Sequence, residues 1–213
     1  MQLTLHSAWR SSAAYRVRIG LNLKGLAYDI APVNLVAHQH QTPAFAALNP
    51  QRLAPVLEVD GQVLTQSLAI LDWLDETVPV PPLLPADPFD RAQVRAMAQI
   101  VACDIHPVNN LRILRALTDL GVDEPGREAW IGRWIGDGFT ALETMIARRG
   151  AGYAFGDAPT LADCCLVPQV YNAERFKTDL TPFPAIRAVA ARCAGHPAFA
   201  AAHPDNQPDA LHA

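Results

Sequence analysis

A proline-dense stretch divides this sequence into two parts with different patterns. Five prolines lie within VPVPPLLPADP, which begins at Val78. Proline fixes φ and has no amide hydrogen, so such a stretch continues neither a helix nor a central strand. We therefore predict a linker at residues 81–89. It would separate a first domain at residues 1–80 from a second at residues 90–213.

The first part alternates short strands with helices. Strands are predicted at residues 2–6, 27–31, 56–59 and 62–65. Asp60 and Gly61 form a hairpin signal between the last two, and Pro55 precedes them at a position that permits a cis peptide. Helices are predicted at residues 43–48 and 67–77. This order is typical of an α/β domain.

The segment from Tyr15 to Lys24 is ambiguous from its pattern alone. Apolar residues occupy every second position from Tyr15 to Leu23, which favours a strand. Lys24 and Gly25 instead form a helix-stop signal, a cation followed by glycine. The pattern leaves both interpretations open.

The second part has only helical patterns. Apolar residues follow 3.6-residue spacing at 94–105 and again at 131–146. The sequence TLAD, ending at Asp163, predicts a capping box at the start of a buried helix, which makes this acid structural. Two short helices are predicted at 184–193 and 197–203, followed by a polar tail over the last ten residues.

Composition and charge exclude several classes of function. The 213 residues carry a net charge of -4, from 17 basic and 21 acidic side chains, so no basic surface for nucleic acid or membrane is expected. No apolar run reaches the length of a membrane span, and no signal-like segment opens the chain, so we expect a cytoplasmic protein. The four cysteines fit neither a zinc site nor a disulfide framework, and buried free thiols are expected. His38 and His40 have no evident third ligand, so no metal site is predicted.

Two places combine hydroxyl groups with a predicted helix start. Ser11 and Ser12 follow the first strand, directly after Arg10, and Gln66 and Ser67 open the helix after the hairpin. A hydroxyl beside the positive end of a helix can hold a thiolate or a carboxylate. The same residues are also ordinary helix N-caps, and from the residues alone that interpretation is the more common one.

Several motifs, spread over essentially the whole chain, resemble those of one family. These are WRSSAAYRVRIGL, LNPQRLAPVLEVDG, LTQSLAILDWLDE, CDIHPVNNLRIL, TLADCCLVPQVYNAERFKTDLTPFP and HPDNQPD. They are similar to the zeta-class glutathione transferases. The resemblance implies a thioredoxin-like α/β N-terminal domain followed by an all-α C-terminal domain. It also implies that residues 13–24 form the first helix, against their alternation.

The resemblance implies glutathione as cofactor, a homodimer, and cis-trans isomerisation of a dicarboxylic maleyl keto acid in aromatic compound catabolism. The thiolate of glutathione would add to the double bond, which could then rotate before elimination. Maleylacetoacetate is the expected substrate and fumarylacetoacetate the product. Maleylpyruvate isomerisation and a general glutathione transferase or peroxidase activity are the alternatives, and a non-catalytic binding module is a third.

The resemblance also implies roles for individual residues. Ser11 would stabilise the thiolate with support from Ser12, while Arg10 and Arg175 would bind substrate carboxylates. Positions expected to contact glutathione are His40, Ala54 through its backbone, Gln66, Ser67, His106 and Asn110, and Asn110 is also expected to contact substrate. Arg16 and Arg18 are interpreted as structural, and Asn109 and Arg112 are left open. Ala13 and Ala14 stand where the family has cysteine and serine.

Overall fold

The computed structural model describes residues 1–210 and divides into two compact units. The first unit is Met1–Leu83 together with the segment from Gly195 on, and the second is Leu84–Ala194. The first unit contains a small mixed sheet with helices, and the second contains helices, which confirms the predicted α/β plus all-α fold class. Residues 195–210 pack with the first unit, although the sequence pattern grouped them with the helical domain.

The regular elements follow the predicted order closely. The strands are β1 (Leu3–Ser7), β2 (Asp29–Pro32), β3 (Val56–Val59) and β4 (Gln62–Thr65). Within residues 1–210 the helices are α1 (Ser12–Leu23), α2 (Pro43–Leu48), α3 (Ser67–Thr77), α4 (Pro88–Gln99), α5 (His106–Val108), α6 (Leu111–Asp119), α7 (Glu124–Arg149), α8 (Leu161–Arg175), α9 (Pro184–Ala194) and α10 (Pro197–Ala202). A π-helical segment, Ile100–Ile105, joins α4 to α5.

The sheet has the order β2-β1-β3-β4. β1 runs parallel to β2 and antiparallel to β3, and β3 pairs with β4 through the predicted hairpin. Asp60 and Gly61 have φ of 48° and 83°, as a tight hairpin turn requires. The central β1–β3 pair places Leu5 opposite Leu57, and both are fully buried. Helix α1 follows β1 in the chain, and helix α3 follows β4.

The ambiguous segment is helix α1, as the resemblance implied. Nearly every residue from Ser12 to Leu21 is buried, including Arg16 and Arg18, so the helix has no exposed face to produce a helical pattern. The guanidinium of Arg18 donates to the Ala202 carbonyl (2.9 Å), to Ser7 Oγ (2.9 Å) and to the Trp9 carbonyl (3.0 Å). Arg18 therefore binds α10 to the first unit, which is how the segment from Gly195 on comes to pack there.

Helix α1 ends with the predicted stop signal. Lys24 caps the helix and Gly25 has φ of 65°, which glycine adopts without strain. The Lys24 ammonium lies in a buried ion pair with Asp75 (Nζ–Oδ1 2.7 Å) and also donates to the Pro81 carbonyl (2.5 Å). The same carboxylate accepts from the Leu83 amide (2.6 Å), so this pair fixes the start of the proline-rich stretch to the first unit.

Helices α1 and α3 pack closely at Gly20. A Cβ atom placed on Gly20 would overlap Cδ2 of Leu71, which is fully buried. The glycine therefore allows the two helices to approach each other around the Leu71 side chain.

The core of the second unit includes buried faces of its two longest helices. Helix α7 contributes Ile131, Ile135, Phe139, Leu142 and Ile146, all buried at the predicted 3.6-residue spacing. Helix α8 is buried along most of its length and begins with the predicted capping box. None of the helices found in residues 1–210 has both the length and the hydropathy needed to span a bilayer.

Two expectations were wrong. Three of the cysteines are buried, but Cys103, in the π-helical segment, is exposed. The expected polar tail is packed as far as it is described. Gln207 is buried and its amide donates to the Ala201 and His203 carbonyls, and an Asp209 carboxylate oxygen accepts from the Trp9 amide. Residues 211–213 lie outside the described part of the chain.

Candidate active site

The turn between β1 and α1 presents the Ser11 hydroxyl at a helix N-terminus. Ser11 is the N-cap of α1, with φ of -69° and ψ of 117°, and its Oγ accepts from the Ala14 amide at 3.3 Å. Its side chain is half-buried, whereas Ser12 is buried in the first turn. The first turn of α1 contains no acidic residue, so no carboxylate there neutralises the positive end of the helix. This turn suits an anion that accepts a hydrogen bond from Ser11.

Arg10 precedes this cap and is exposed. Its guanidinium lies over the Trp9 ring, 4.3 Å from the ring centroid. The Trp9 backbone is held by its amide, which donates to Asp209 Oδ2 at 3.2 Å. Stacking on an aromatic face leaves the edge donors of a guanidinium available for a carboxylate. Arg10 is therefore a cation at the surface beside Ser11.

The turn between β4 and α3 is the second helix N-terminus of the candidate site. Gln66 has φ of 67° and ψ of 115°, a strained region for a residue other than glycine, and makes no side-chain cap to the helix. Its amide donates instead to Gln51 Oε1 at 2.6 Å. Ser67, the first residue of α3, is buried, and its Oγ accepts from Nη1 of Arg16 at 3.2 Å. The Gln66 side chain therefore leaves the first amides of α3 without a side-chain cap.

Ala54 lies just before β3 in a cis peptide bond with Pro55, the position where the sequence permits one. It is partly buried and packs against a small apolar cluster formed by Val33, Phe45 and Val56. Its side chain is thus committed to packing, and only its backbone is available for a ligand.

His40 lies in a one-turn 3-10 helix, Gln39–Gln41. Its ring is buried and stacks against His38, with the ring centroids 6.2 Å apart. The resemblance pointed to a ligand contact, which stays a prediction. Residues 1–210 contain no group of three His, Cys, Asp or Glu side chains that could hold a metal ion.

The remaining predicted site residues belong to the second unit. His106 begins the short helix α5, and its carbonyl accepts from the Asn109 amide at 3.2 Å. Asn110 is the N-cap of α6 and accepts from the Arg112 amide at 3.1 Å. Arg175 ends α8 with its guanidinium near the rings of Tyr171 and Phe176, 5.9 and 5.4 Å from their centroids. The sequence did not indicate that the side-chain oxygen of Asn110, Oδ1, caps α6.

Two further residues were considered in the sequence but given no ligand role there. Asn109, which the sequence left open, is buried, and neither polar atom of its side chain has a hydrogen-bond partner within residues 1–210. Arg16, interpreted as structural, contacts Ser67 at the candidate site. An amphipathic pattern marks neither residue, because the first depends on a local irregularity and the second on a partner 51 residues away.

The buried thiols do not have the properties of nucleophiles. Burial raises the pKa of the Cys164 thiol well above its ordinary value, and nearby Cys165 and Asp163 raise it further. Burial also raises the pKa of Cys193. A nucleophilic cysteine needs a lowered pKa, so these side chains stay protonated and pack as apolar groups. Neither Cys164 nor Cys193 is therefore a candidate for an activated thiolate.

Known proteins resemble the chain over nearly its whole length. The family model described as "Glutathione S-transferase, N-terminal domain" matches residues 10–77, and the one described as "Glutathione S-transferase, C-terminal domain" matches residues 127–201. The chain is 53% identical over 211 residues to a maleylpyruvate isomerase of Ralstonia sp, covering 97% of this chain and 99% of that one. It is 50% identical over 210 residues to the maleylacetoacetate isomerase of Pseudomonas aeruginosa, covering 97% and 98%.

Solved structures resemble it equally well. One is described as the holo structure of maleyl pyruvate isomerase, a bacterial glutathione-S-transferase in the zeta class. It has a TM-score of 0.96 and 52% identity, and the match covers 98% of this chain and 100% of that one. Another is maleylacetoacetate isomerase from Anaeromyxobacter dehalogenans with GSH bound in the active site. It has a TM-score of 0.90 and 48% identity, covering 99% and 98%.

Proposed function

Because the chain belongs to the glutathione S-transferase family, and within it to the zeta class, we propose that it is a glutathione-dependent cis-trans isomerase that converts maleylacetoacetate to fumarylacetoacetate. The observation that carries this proposal is the identity of at least 50% to named isomerases over 97% of the chain. Fold alone would not indicate an activity, since one fold serves many functions. Here the N-terminal family model spans residues 10–77, a range that includes both helix N-termini of the candidate site.

Glutathione is the cofactor, and the first unit offers groups that suit it. A carboxylate fits the N-terminus of α3, where Ser67 and the buried cation of Arg16 meet. The backbone at Ala54 suits the peptide part, and the Ser11 hydroxyl suits the sulfur. Bound glutathione supplies a thiolate that adds reversibly to the maleyl double bond and so permits rotation about it. The protein needs no nucleophile of its own, consistent with Ala13 and Ala14 at the positions of the family cysteine and serine.

Ser11 lowers the pKa of the bound thiol. A hydroxyl that donates to sulfur stabilises the thiolate over the thiol, and the positive end of α1 adds to this effect. The present bond from Ala14 to Ser11 Oγ occupies a lone pair of the oxygen, so its hydrogen stays available as a donor. Ser12 is buried in the same turn and supports the geometry of the cap.

Arg10 binds a carboxylate of the maleyl substrate. Its exposed guanidinium lies beside the Ser11 turn, and its planar donors match a carboxylate in a bidentate manner. Arg175 and Asn110 of the second unit are assigned to the substrate, and His106 and Asn110 to glutathione, as is His40 of the first unit. The positions of Arg175, His106 and Asn110 in the family motifs quoted above support their assignments. The assignment of His40, which lies outside those motifs, rests on the general resemblance to the family.

Maleylpyruvate is the second candidate substrate. The observation that favours it is the relative of Ralstonia sp, which is 53% identical, slightly above the maleylacetoacetate isomerases near 50%. Both substrates offer carboxylates to the same arginines, so the candidate-site residues do not separate them.

A spectrophotometric isomerase assay with both maleyl substrates, each with and without glutathione, tests the proposal. We expect turnover of maleylacetoacetate that requires glutathione and does not consume it. Faster turnover of maleylpyruvate would assign the second substrate. Isomerisation without glutathione would overturn the mechanism, and net consumption of glutathione without isomerisation would indicate a general transferase or peroxidase instead.

We further propose a cytoplasmic homodimer. Support for a partner surface comes from α6, none of whose side chains is buried, with Leu111 and the following Leu120 exposed. Sedimentation velocity should give twice the mass of one 23.1 kDa chain, and cell fractionation should recover the activity in the cytoplasm. A monomer would refute the proposed dimer, and activity in a membrane fraction would refute the proposed cytoplasmic location.

A further inference from the structure

Arg16 lies beneath the N-terminus of α3 rather than at the surface of α1. Its side chain is only 2% exposed, and Nη1 donates to Ser67 Oγ at 3.2 Å. We propose that Arg16 is a positioning residue that orients the Ser67 hydroxyl toward the carboxylate of the γ-glutamyl end of glutathione and adds positive charge there. This inference rests on the proposed function, because it assumes that glutathione is the ligand.

The first step concerns the direction of the Ser67 hydroxyl. A guanidinium has only donors, so in this contact Ser67 Oγ must accept. The hydroxyl hydrogen then points away from Arg16. A serine hydroxyl is otherwise free to rotate, and it can accept or donate. Arg16 therefore fixes Ser67 as a hydrogen-bond donor for an incoming group, and a carboxylate is the group that such a donor prefers.

The second step concerns charge. The N-terminus of α3 has no acidic residue in its first turn and no side-chain cap, so its positive end is directed at the ligand. Arg16 adds a full positive charge from the protein side, where solvent screens it little. Both effects favour an anion over a neutral group at the same place. The site therefore selects for the carboxylate itself and not only for a peptide of the right shape.

Arg18 shows how a purely structural arginine in the same helix differs. It is fully buried, and its three donor nitrogens bind oxygens of β1, of the loop after it and of α10. Those oxygens belong to the scaffold. One donor of Arg16 instead contacts Ser67, a residue assigned to the ligand. Two arginines separated by one residue thus have different tasks, although the sequence pattern treats them alike.

The test compares glutathione with γ-aminobutyryl-cysteinyl-glycine. This analogue keeps the amino group of the γ-glutamyl end but lacks its α-carboxylate. Binding of both ligands is measured by calorimetry for the wild type, Arg16→Met and Arg16→Lys. We expect the wild type to prefer glutathione by about 10-fold or more. Arg16→Met should weaken glutathione about 10-fold, leave the analogue nearly unchanged and so abolish the preference. Arg16→Lys keeps the charge and should retain most of the preference.

Kinetics give a second readout that general damage to the fold would not reproduce. Arg16→Met should raise the KM for glutathione more than the KM for the maleyl substrate. Equal weakening of both ligands, or a preference that survives in Arg16→Met, would overturn the inference. If Arg16→Met does not fold, Ser67→Ala decides, because Arg16 is argued to act through Ser67. Loss of the preference in Ser67→Ala supports the inference, and a wild-type preference there overturns it.

The same measurements separate this inference from the proposed function. A wild type that prefers glutathione through Arg16 but does not isomerise either maleyl substrate would refute the function and leave the role of Arg16 intact. A wild type that binds neither ligand would refute both. An active isomerase with no preference for the carboxylate would refute only the role of Arg16.

Discussion

Helices α1 and α8 both begin with a hydroxyl residue, but their N-termini differ in what satisfies them. At α8, Thr160 and Asp163 form a closed capping box. The buried carboxylate accepts from the Ala154 amide (2.7 Å), the Thr160 amide (2.8 Å) and Thr160 Oγ1 (2.9 Å). At α1, Ser11 accepts one amide at 3.3 Å, and no acid lies in the first turn. The N-terminus of α8 is neutralised by an acid of its own chain, whereas the N-terminus of α1 has no such acid in its first turn.

The difference separates structural capping from ligand binding. An acid three residues after the cap satisfies the helix dipole and removes the reason for an external anion to bind. Helix α3 resembles α1 in this respect, since its first turn also lacks an acid. Both receptive N-termini belong to the first unit, and the closed one belongs to the second. We expect mutations at the closed end to affect stability, and those at the receptive ends to affect ligands.

The largest effect is expected from Asp163→Ala. This removes an acceptor for three donors in a fully buried position, so we expect a loss of roughly 3–5 kcal/mol in the free energy of unfolding. Urea unfolding followed by circular dichroism measures it. Asp87→Ala is the matched control: Asp87 caps α4 with two amides at 2.9 Å but is exposed, so about 1 kcal/mol is expected. Equal losses would contradict the comparison.

The change in unfolding free energy that pH causes through Asp163 is expected to be somewhat smaller than the loss in Asp163→Ala. Burial raises the pKa of Asp163 from 3.8 to about 6, against the opposing effect of its hydrogen bonds. Between these values the folded protein binds more protons than the unfolded chain, so the contribution of Asp163 to stability falls as pH rises. We expect the stability difference between wild type and Asp163→Asn to narrow by at most about 3 kcal/mol from pH 4 to pH 6.5. A difference that stays constant over this range would refute the shift.

At the receptive end of α1, Ser11→Ala should lower kcat/KM for the isomerase about 100-fold, or ~2.7 kcal/mol, because the thiolate loses its donor. Stability should fall by only about 1 kcal/mol. Thr42→Ala is the matched control, since Thr42 caps α2 by accepting from the Phe45 amide at the same 3.3 Å. It should lose similar stability and keep its activity. Full isomerase activity in Ser11→Ala would show that Ser11 does not stabilise the thiolate.

The smallest effect is expected at Arg10. Its side chain is exposed and rests on Trp9, so Arg10→Ala should scarcely change stability. The KM for the maleyl substrate should rise about 10-fold, corresponding to one charge-assisted carboxylate contact, while the KM for glutathione should change little. Steady-state kinetics with each ligand varied in turn measure both. A rise confined to the KM for glutathione would indicate that Arg10 binds glutathione and not the maleyl substrate.

Local signals predicted most of the fold. The hairpin at Asp60 and Gly61, helix α3 and the capping box at Thr160 depend on residues within a few positions of each other, and each forms as expected. Helix α1 shows the limit of such signals. Its apparent alternation arises because Arg16 and Arg18 occupy buried positions, which a pattern of apolar residues treats as exposed.

What could not be predicted depends on distant partners. Arg16 meets Ser67 51 residues away, and Arg18 meets Ala202 184 residues away, so nothing near either arginine in the sequence indicates its environment. The packing of the segment around Gln207 also depends on α10, because the Gln207 amide donates to the Ala201 carbonyl. The π-helical segment before α5 and the buried Asn109 are irregularities of backbone geometry, for which the sequence contains no periodic signal.

The close packing at Gly20 also limits how this sequence can diverge. A methyl group at position 20 would collide with Leu71, so a change to alanine is tolerated only if the residue at 71 becomes smaller or adopts another rotamer. Position 71 should therefore vary together with position 20 during evolution. Aligned relatives should rarely combine alanine at the first position with an unmoved leucine at the second.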